Sequence, residues 1–239
     1  MKVKVHATGS TGNCVTIDDV IVIDAGVYVD TPAENLLITH HHTDHTKELA
    51  KYAAVPTFAT AETIDKLRVK HPFHTFNVLD VDRPIELCTS RGRYLVRLIK
   101  LKHDAPCVGF DIELLSVTDN EDGVRRILYA TDFNEILTPI FLGAYDEIYI
   151  ECNNSLNVHN IVDVYFGDDI PKDEFHRRKS FGNHCNVDYL IDLFKREGYD
   201  VHNKFPKPVT LLHKSSYYYA TNPERIVHLC KIANIVNPV

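Results

Sequence analysis

The stretch that decides the fold is Thr39-His40-His41-His42-Thr43-Asp44-His45, which follows the apolar run Leu36-Leu37-Ile38. Residues two apart at the end of a strand point to the same side, so His40 and His42 can chelate one ion while the histidine between them faces elsewhere. The following aspartate and histidine turn toward a second ion as the chain enters a helix. Imidazole and carboxylate together favour borderline divalent metals such as zinc, manganese or iron. The predicted ligands in this stretch are His40, His42, Asp44 and His45.

Other polar residues also stand where apolar strand runs stop. His103 is in phase with Ile99 and Leu101 on an alternating run, so it points to one face at the end of that strand. Asp132 and His213 close two further apolar runs. Ligand sites lie at the strand ends of layered folds, and the shared position therefore favours metal ligation over a role as a turn residue or a cap.

The arrangement of strands and helices predicts one layered α/β or α+β domain that spans residues 1–239 and contains two sheets. One amphipathic helix is predicted over Asn186–Glu197, with an apolar stripe at Val187, Leu190, Ile191 and Phe194. The least regular stretches are Lys66–Phe76 and Val164–Asn183, which we predict to be loops. The other predicted helices are Thr43–Tyr52, Thr60–Arg68 and Pro223–Ala233. The predicted strands are Lys2–Ala7, Cys14–Asp18, Val20–Asp24, Asn35–Thr39, Tyr94–Leu101, Val108–Val117, Arg125–Ala130, Glu147–Ile150 and Val209–Leu212.

These residues resemble the motifs of the metallo-β-lactamase superfamily of hydrolases over nearly the whole chain. Val22-Ile23-Asp24-Ala25-Gly26 is similar to the early D-x-G segment of that family, and the resemblance implies that Asp24 supports a ligating histidine. The implied fold is a four-layer αββα sandwich, in which two β-sheets are flanked by helices. The main metal motif, the third motif, the bridging aspartate and the last ligand correspond to His40/His42/Asp44/His45, His103, Asp132 and His213.

The resemblance implies a site for two divalent ions, zinc or manganese, with iron as a further choice. One ion would be held by His40, His42 and His103. The other would be held by Asp44, His45 and His213, with Asp132 as the bridge. Two adjacent cations would lower the pKa of a bridging water from ~16 toward ~7 and supply hydroxide at neutral pH. A phosphodiester suits this chemistry, because the same pair of ions can orient the nucleophile and stabilise the leaving oxygen.

Two further segments resemble the YycJ/WalJ exonucleases, which are related to ribonuclease Z. Gly9-Ser10-Thr11-Gly12-Asn13-Cys14 is similar to the opening motif of that group. Gly182-Asn183-His184-Cys185-Asn186-Val187-Asp188 is similar to its G-H-x-S-N-x-[DE] segment but departs from it at Asn183 and Asn186. The resemblance implies His184 as the proton donor to the leaving oxygen. The predicted catalytic residues are Asp44, His184 and Asp188, and the candidate substrate contacts are Arg177, Arg178, Lys179, Ser215 and Tyr217.

Composition limits the classes of partner. The 239 residues carry 26 Lys and Arg against 33 Asp and Glu, a net charge of −7, which excludes a global electrostatic clamp on nucleic acid but not a local basic groove. No apolar run approaches the ~20 residues of a membrane span, and the first residues lack a signal-peptide core. The six cysteines form no C-x-x-C pair. We therefore expect a cytoplasmic protein with reduced thiols and no membrane partner.

The sequence favours a dinuclear-metal phosphodiesterase or nuclease that acts on nucleic acid, with DNA as the first choice and RNA as the second. A hydrolase of a small phosphodiester or thioester is the alternative, because the basic run at Arg177–Lys179 is short. A metal-binding scaffold without activity is a third hypothesis. The sequence carries no signature of the oligomeric state or of the biological pathway.

Overall fold

A computed structural model describes residues 1–117, 125–154, 182–214 and 223–237. These residues form two β-sheets with helices, and the predicted mixed class of α and β structure is confirmed. The candidate substrate contacts Arg177, Arg178, Lys179, Ser215 and Tyr217 lie outside the described residues. In the part of the chain that the structure describes, none of the helices has the length and apolarity that a bilayer crossing needs.

The first sheet places two candidate site segments side by side. Its strands β1, β2 and β3 are antiparallel, and β3, β4, β5 and β6 continue in parallel. Parallel strands end at the same edge of a sheet, so Asp24 after β3 and Thr39 after β4 are neighbours, and Asp24 N donates to Leu37 O. The strands, in sheet order, are β1 Val3–Ala7, β2 Cys14–Ile17, β3 Ile21–Ile23, β4 Asn35–Leu37, β5 Thr57–Thr60 and β6 Phe76–Leu79.

The second sheet has eight strands in the order β11-β8-β9-β10-β12-β13-β14, and β7 pairs with β8. Its β12 and β13 run in parallel with Glu151 opposite Leu212, so Glu151 and His213 emerge at the same end. The strands are β7 Ile85–Thr89, β8 Gly92–Lys102, β9 Cys107–Val117, β10 Arg126–Ala130, β11 Glu135–Ile136, β12 Glu147–Glu151, β13 Phe205–Leu212 and β14 Ala233–Ile235.

The helix predicted over Thr43–Tyr52 is interrupted. The structure has α1 over Thr43–Thr46 and a separate 3₁₀ helix over Leu49–Tyr52. Asp44 O accepts from Asn13 N at 2.8 Å and His45 O accepts from Ala25 N at 2.7 Å, while Glu48 N donates to Ala25 O at 2.8 Å. Groups that would continue the helix are therefore bonded to distant segments, and the prediction of one helix was wrong because of these tertiary hydrogen bonds.

The remaining predicted helices are confirmed within a few residues at each end. They are α2 Ala61–Lys70, α3 Val187–Arg196 and α4 Pro223–Ile232. The apolar stripe of α3 is buried, as its 3.6-residue periodicity predicts. The Phe194 ring of this helix packs 5.3 Å from that of Phe205, measured between ring centroids.

Several elements were missed from the sequence. The stretch Lys66–Phe76, predicted as a loop, contains the last turns of α2 and the start of β6. The strands β5, β6, β7, β11 and β14 were not predicted, and all five are short, with two to five residues that carry little periodicity of their own. Pairing partners supplied by neighbouring strands determine such short strands.

The chain divides into two compact units. The first comprises residues 1–100 and 105–129, and its core includes Val22, Leu36, Ile38, Ile64 and Leu67. The second comprises residues 101–104 and 130–239, with a core built from α3 and the strands beside it. The assignment of residues 1–239 to one domain stays a prediction.

Candidate metal centre

In the first unit, three predicted ligands come together at the end of β4. The ring centroids of His40 and His42 are 4.6 Å apart, and those of His40 and His45 are 4.2 Å apart. His40 and His45 are buried, whereas His42 is partly exposed. Asp44 Oδ2 lies 3.6 Å from His45 Nε2. The four residues of the deciding stretch thus form one compact group of nitrogen and oxygen donors.

Asp24 makes the contact that a supporting carboxylate needs. It is fully buried, its Oδ2 lies 2.7 Å from His45 Nδ1, and it accepts from the N–H and hydroxyl of Thr39. Burial raises the pKa of the Asp24 carboxyl above its ordinary value, and the His45 ring opposes that rise. The carboxylate holds the Nδ1 side of the ring, so the opposite nitrogen, Nε2, faces away from Asp24 and toward Asp44.

Gly26 allows three segments of this group to approach closely. A Cβ at this position would collide with Asp44 O and lie 2.5 Å from Asn13 N. The same contact brings Gly26 N within 2.9 Å of Asn13 O. The glycine of the Asp24-Ala25-Gly26 segment is therefore required by backbone packing behind the ligands, where no side chain fits.

Asn13 is a site residue that the sequence analysis quoted in a motif but did not assign. Its side chain is buried, and Nδ2 lies 2.9 Å from His45 Nε2 and 3.3 Å from Asp44 Oδ2. Its Oδ1 accepts from Gly9 N at 2.9 Å, which fixes the orientation of the amide. The opening motif thus supplies a polar group that touches two predicted ligands.

In the second unit, a four-residue cluster gathers at strand ends. Each residue offers one ligand atom, and these atoms all lie within 4.8 Å of one another. Asp132 Oδ1 is 3.6 Å from His184 Nδ1 and 3.8 Å from His213 Nδ1. Asp132 and His213 have φ values of 55° and 50°, a left-handed conformation that residues with a side chain seldom adopt and that recurs at functional sites. The cluster consists of Asp132, Glu151, His184 and His213.

Glu151, which the sequence analysis missed, is the centre of this cluster. It is fully buried, and its Oε1 accepts from His184 Nδ1 at 2.6 Å and from His213 Nδ1 at 2.8 Å. Its Oε2 accepts from Phe133 N at 2.8 Å. The signal was present, because Glu151 closes the apolar run Ile148-Tyr149-Ile150 in the same way that Asp132 and His213 close theirs. The predicted strand stopped one residue short of it.

The charges in this cluster influence one another. Burial alone would raise the pKa of Glu151, but the two histidines outweigh it and hold that pKa below its ordinary value. Burial opposes protonation of His184, yet the neighbouring Glu151 raises the pKa of its imidazole. A buried carboxylate that binds the Nδ1 sides of two rings directs both Nε2 atoms away from itself.

His103 follows β8 and lies beside this cluster. Its ring centroid is 5.6 Å from that of His184, and its Nδ1 lies 3.2 Å from Asn183 O. Its Nε2 is 3.2 Å from Asp104 Oδ1. Burial lowers the pKa of His103. Because Nδ1 is fixed by a carbonyl, Nε2 is the nitrogen of His103 that could bind a metal.

Asp188 forms an ion pair with a neighbouring helix. It lies in the first turn of α3, where its N–H donates to Asn186 Oδ1 at 2.7 Å, and its carboxylate pairs with Arg225 of α4. Within the described residues, Asp188 belongs to none of the histidine and carboxylate clusters. Its catalytic role stays a prediction.

The donor sets fit a divalent metal of borderline character. Each unit offers imidazole nitrogens together with carboxylate oxygens, the ligands that zinc, manganese and iron accept. In the second unit, one ligand atom from each of Asp132, Glu151, His184 and His213 lies within 4.8 Å of the other three, which is close enough for a shared ion. The residues present therefore suit the predicted cofactor class.

Known structures share this fold. The metallo-β-lactamase fold protein YhfI from Bacillus subtilis is 16% identical, with a TM-score of 0.63 over 98% of this chain and 95% of that one. Igni18, a metallo hydrolase from the hyperthermophilic archaeon Ignicoccus hospitalis, is 15% identical, with a TM-score of 0.61 over 98% and 93%. A diphosphatase from the PhnP family is 16% identical, with a TM-score of 0.51 over 84% and 71%.

Comparison by sequence gives no match. No protein-family model matches the chain, and no curated protein matches it. The likeness to YycJ/WalJ exonucleases stays a prediction from the motifs. The two sheets, the helices and the likeness over nearly the whole chain together show that this protein has the metallo-β-lactamase fold.

Proposed function

We propose that this protein is a metal-dependent phosphodiesterase that acts on nucleic acid, of the YycJ/WalJ type. The observation that carries the proposal is the gathering of Asp132, His184 and His213 around the buried Glu151, because it combines ligand chemistry with an oriented histidine of the kind that donates protons. The residues that would hold a pair of divalent ions are His40, His42, Asp44, His45, His103, Asp132 and His213.

Divalent ions held by these residues would supply Lewis-acid chemistry, which activates water at neutral pH and offsets negative charge on a phosphoryl group. The chain itself contributes orientation. Asp24 fixes the ring of His45, and Glu151 fixes those of His213 and His184. With Nδ1 of His184 held by Glu151, Nε2 is the atom that would donate a proton to the leaving oxygen as the P–O bond breaks.

The choice of nucleic acid rests on motifs. The segments Gly9–Cys14 and Gly182–Asp188 resemble those of DNA-processing exonucleases, and Asn13 and His184 of these segments touch predicted ligands or lie among them. The proposed phosphate contacts Arg177, Arg178 and Lys179 would supply local positive charge in a chain of net charge −7. The proposed contacts Ser215 and Tyr217 would add a hydrogen bond to phosphate and stacking on a base.

A small phosphodiester is the second candidate substrate. The likeness to a structure described as a diphosphatase from the PhnP family favours a substrate with phosphate groups. Both candidates use the same ligands and the same His184, so they differ in how the rest of the substrate is bound and not in the chemistry.

Hydrolysis assays separate these candidates. Purified protein is incubated with Mn²⁺ or Zn²⁺ and end-labelled DNA, end-labelled RNA, bis-p-nitrophenyl phosphate, cyclic nucleotides or an acyl-thioester. We expect cleavage of DNA, and a loss of about 100-fold or more in Asp44→Ala, which removes a ligand. The matched control is Asp65→Ala, which removes an exposed aspartate from α2 and should retain full activity. Thioester turnover without phosphodiester cleavage, or full activity in Asp44→Ala, would contradict the proposal.

A further inference from the structure

His184 is carried by a short segment, residues 182–186, which begins with the helical residues Gly182 and Asn183 and which we call the His184 loop. Beyond the bonds of His184 Nδ1 to Glu151 Oε1 and of Asn186 Nδ2 to Asn154 Oδ1, four further hydrogen bonds among the described residues tie this loop to other elements of the second unit. Two involve residues of the proposed site: His103 Nδ1 donates to Asn183 O at 3.2 Å, and Cys185 N donates to Glu151 Oε2 at 3.4 Å. A third runs from Asn153 N to Cys185 O at 2.9 Å. If only these bonds were present, residues 183–185 would be held more firmly than Gly182.

The fourth tie comes from Asn134, a residue that lies outside the ligand set. Its Nδ2 donates to Gly182 O at 2.6 Å, two residues before His184. Its backbone N–H donates to Lys102 O at 2.9 Å, next to His103. Asn134 therefore joins the end of β8, the segment after Asp132 and the start of the His184 loop. Its Oδ1 is buried and has no hydrogen-bond partner among the described residues, where Gly182 O is therefore the group that orients the amide.

The hydrogen bond from Asn134 matters because the other bonds act further along the loop. The bonds of Glu151, His103 and Asn153 act on residues 183–185, whereas Asn134 is the described residue that holds the carbonyl of Gly182. A Cβ added to Gly182 would meet nothing within 4 Å, so side-chain packing does not hold this end of the loop. Fixing a proton donor to within a fraction of an ångström requires both ends of its segment to be held.

We propose that Asn134 is a positioning residue for His184: its amide holds the Gly182 carbonyl and thereby places His184 Nε2 against the leaving oxygen. This inference rests on the proposed function for its catalytic consequence, while the hydrogen bond itself can be tested without activity. In the hydrolysis, the oxygen of a water molecule forms a new bond to phosphorus as the bond to the leaving oxygen breaks. The leaving oxygen takes its proton from His184 Nε2, and the proton lost by the attacking water returns to His184 through the solvent. A displaced loop therefore slows reactions whose leaving oxygen is a strong base.

The test uses the full chain with Asn134→Asp, which keeps the shape of the side chain but replaces the Nδ2 donor by an oxygen that repels Gly182 O. Asn134→Ala is the second variant. The matched control is Asn203→Ala, because Asn203 Nδ2 also donates to a glycine carbonyl, Gly198 O, at 2.9 Å in an exposed turn. Bound metal is measured in every variant, and we expect it to equal that of the wild type.

The first readout is the labelling rate of Cys185 by a maleimide, resolved by mass spectrometry. The Cys185 thiol is fully buried within the loop, so it reports loop opening without any need for catalysis. We expect labelling to rise about tenfold in both Asn134 variants, the factor that corresponds to the loss of one hydrogen bond. The equally buried Cys14 of the first unit should keep its rate, which excludes general destabilisation.

The second readout is kcat for two substrates, a dinucleotide that releases a basic alkoxide and its p-nitrophenyl ester, which releases a stabilised phenolate. We expect kcat for the dinucleotide to fall about 10–100-fold at unchanged KM, and kcat for the ester to change less than about threefold. Equal losses for the two substrates, or unchanged Cys185 labelling, would overturn the inference. An inactive wild type would overturn the proposed function, while the labelling would still decide whether Asn134 holds the loop.

Discussion

At the scale of single residues, the candidate site depends on side chains that hold other side chains. Asp24 and Glu151 are both fully buried carboxylates, and each contacts the Nδ1 atom of at least one candidate ligand. A buried charge is costly unless it is hydrogen-bonded, and each of these accepts at least three hydrogen bonds. These hydrogen bonds reduce the cost of burying the charge, and they also fix the orientation of the imidazole rings.

Asp24→Asn should weaken metal binding while the fold persists. The amide keeps the shape of the carboxylate but loses its charge and one acceptor, so the His45 ring is held less firmly. Outer partners of metal ligands contribute about 10–100-fold to affinity. Zinc affinity, measured by competition with a chromogenic chelator, should fall by that factor. Asp19→Asn is the control, because Asp19 forms a surface ion pair with Lys4 at 2.6 Å. Equal affinity in the two variants would refute the role of Asp24.

Gly26→Ala should destabilise the fold by about 3 kcal/mol or more. The added Cβ meets the backbone of Asp44 and Asn13, which cannot move without displacing the ligand segment. The measurement is the urea midpoint by circular dichroism. Gly182→Ala is the comparison, since a Cβ there meets open space, and its effect should stay below about 0.5 kcal/mol. Similar midpoints for both variants would show that the close approach at Gly26 is relaxed in solution.

At the scale of elements, the helices whose pattern is local were predicted and those shaped by distant partners were not. The stripe of α3 predicts its position, and its N-cap Asn186 accepts from Asp188 N at 2.7 Å. The interrupted helix at Thr43 shows the opposite case, because Asn13 and Ala25 take its hydrogen-bonding groups. A pattern within ten residues cannot reveal bonds made by residues 20 to 30 positions away.

Asn186→Ala should lower the free energy of unfolding by about 1–2 kcal/mol. The substitution removes the cap of α3 and also the hydrogen bond from Asn186 Nδ2 to Asn154 Oδ1 at 2.6 Å. Urea titration gives the change. Asn77→Ala, which removes a long contact of 3.4 Å to Thr57 O, should change stability by less than about 0.5 kcal/mol. Equal free energies of unfolding for the two variants would show that the cap does not stabilise the protein.

At the scale of the whole molecule, burial determines which thiols react. The composition alone predicted six reduced cysteines, and the structure contains no disulfide among them. Cys88 is exposed and Cys230 is partly exposed, while the others are buried. Burial raises the pKa of Cys14 to about 12, so its thiolate is scarce at neutral pH. Burial therefore slows the reaction of a thiol in two ways, because it shields the sulfur from the reagent and keeps the thiol protonated.

Thiol labelling should therefore proceed in two stages. In the native protein at pH 8, Cys88 should react first and Cys230 more slowly, because burial also raises the pKa of Cys230. The buried thiols Cys14, Cys107 and Cys152 should react only after unfolding in urea, whereas Cys185 should react slowly in the native protein, as its loop opens locally. Mass spectrometry of the labelled peptides checks the order. Rapid labelling of Cys14 in native protein would show that the first unit opens far more often than its packing implies.

The sequence by itself determined the residue types and their placement at strand ends, since the alternation of a strand and the polar residue that stops it are local properties. It therefore named His40, His42, Asp44, His45, Asp132 and His213 as candidates, and those of each unit lie close together. The tertiary structure decided which side chain holds which. Glu151 joins two histidines that are 29 residues apart in the chain (213 − 184), and Asp188 pairs with Arg225. Such partners depend on long-range packing, which no local pattern encodes.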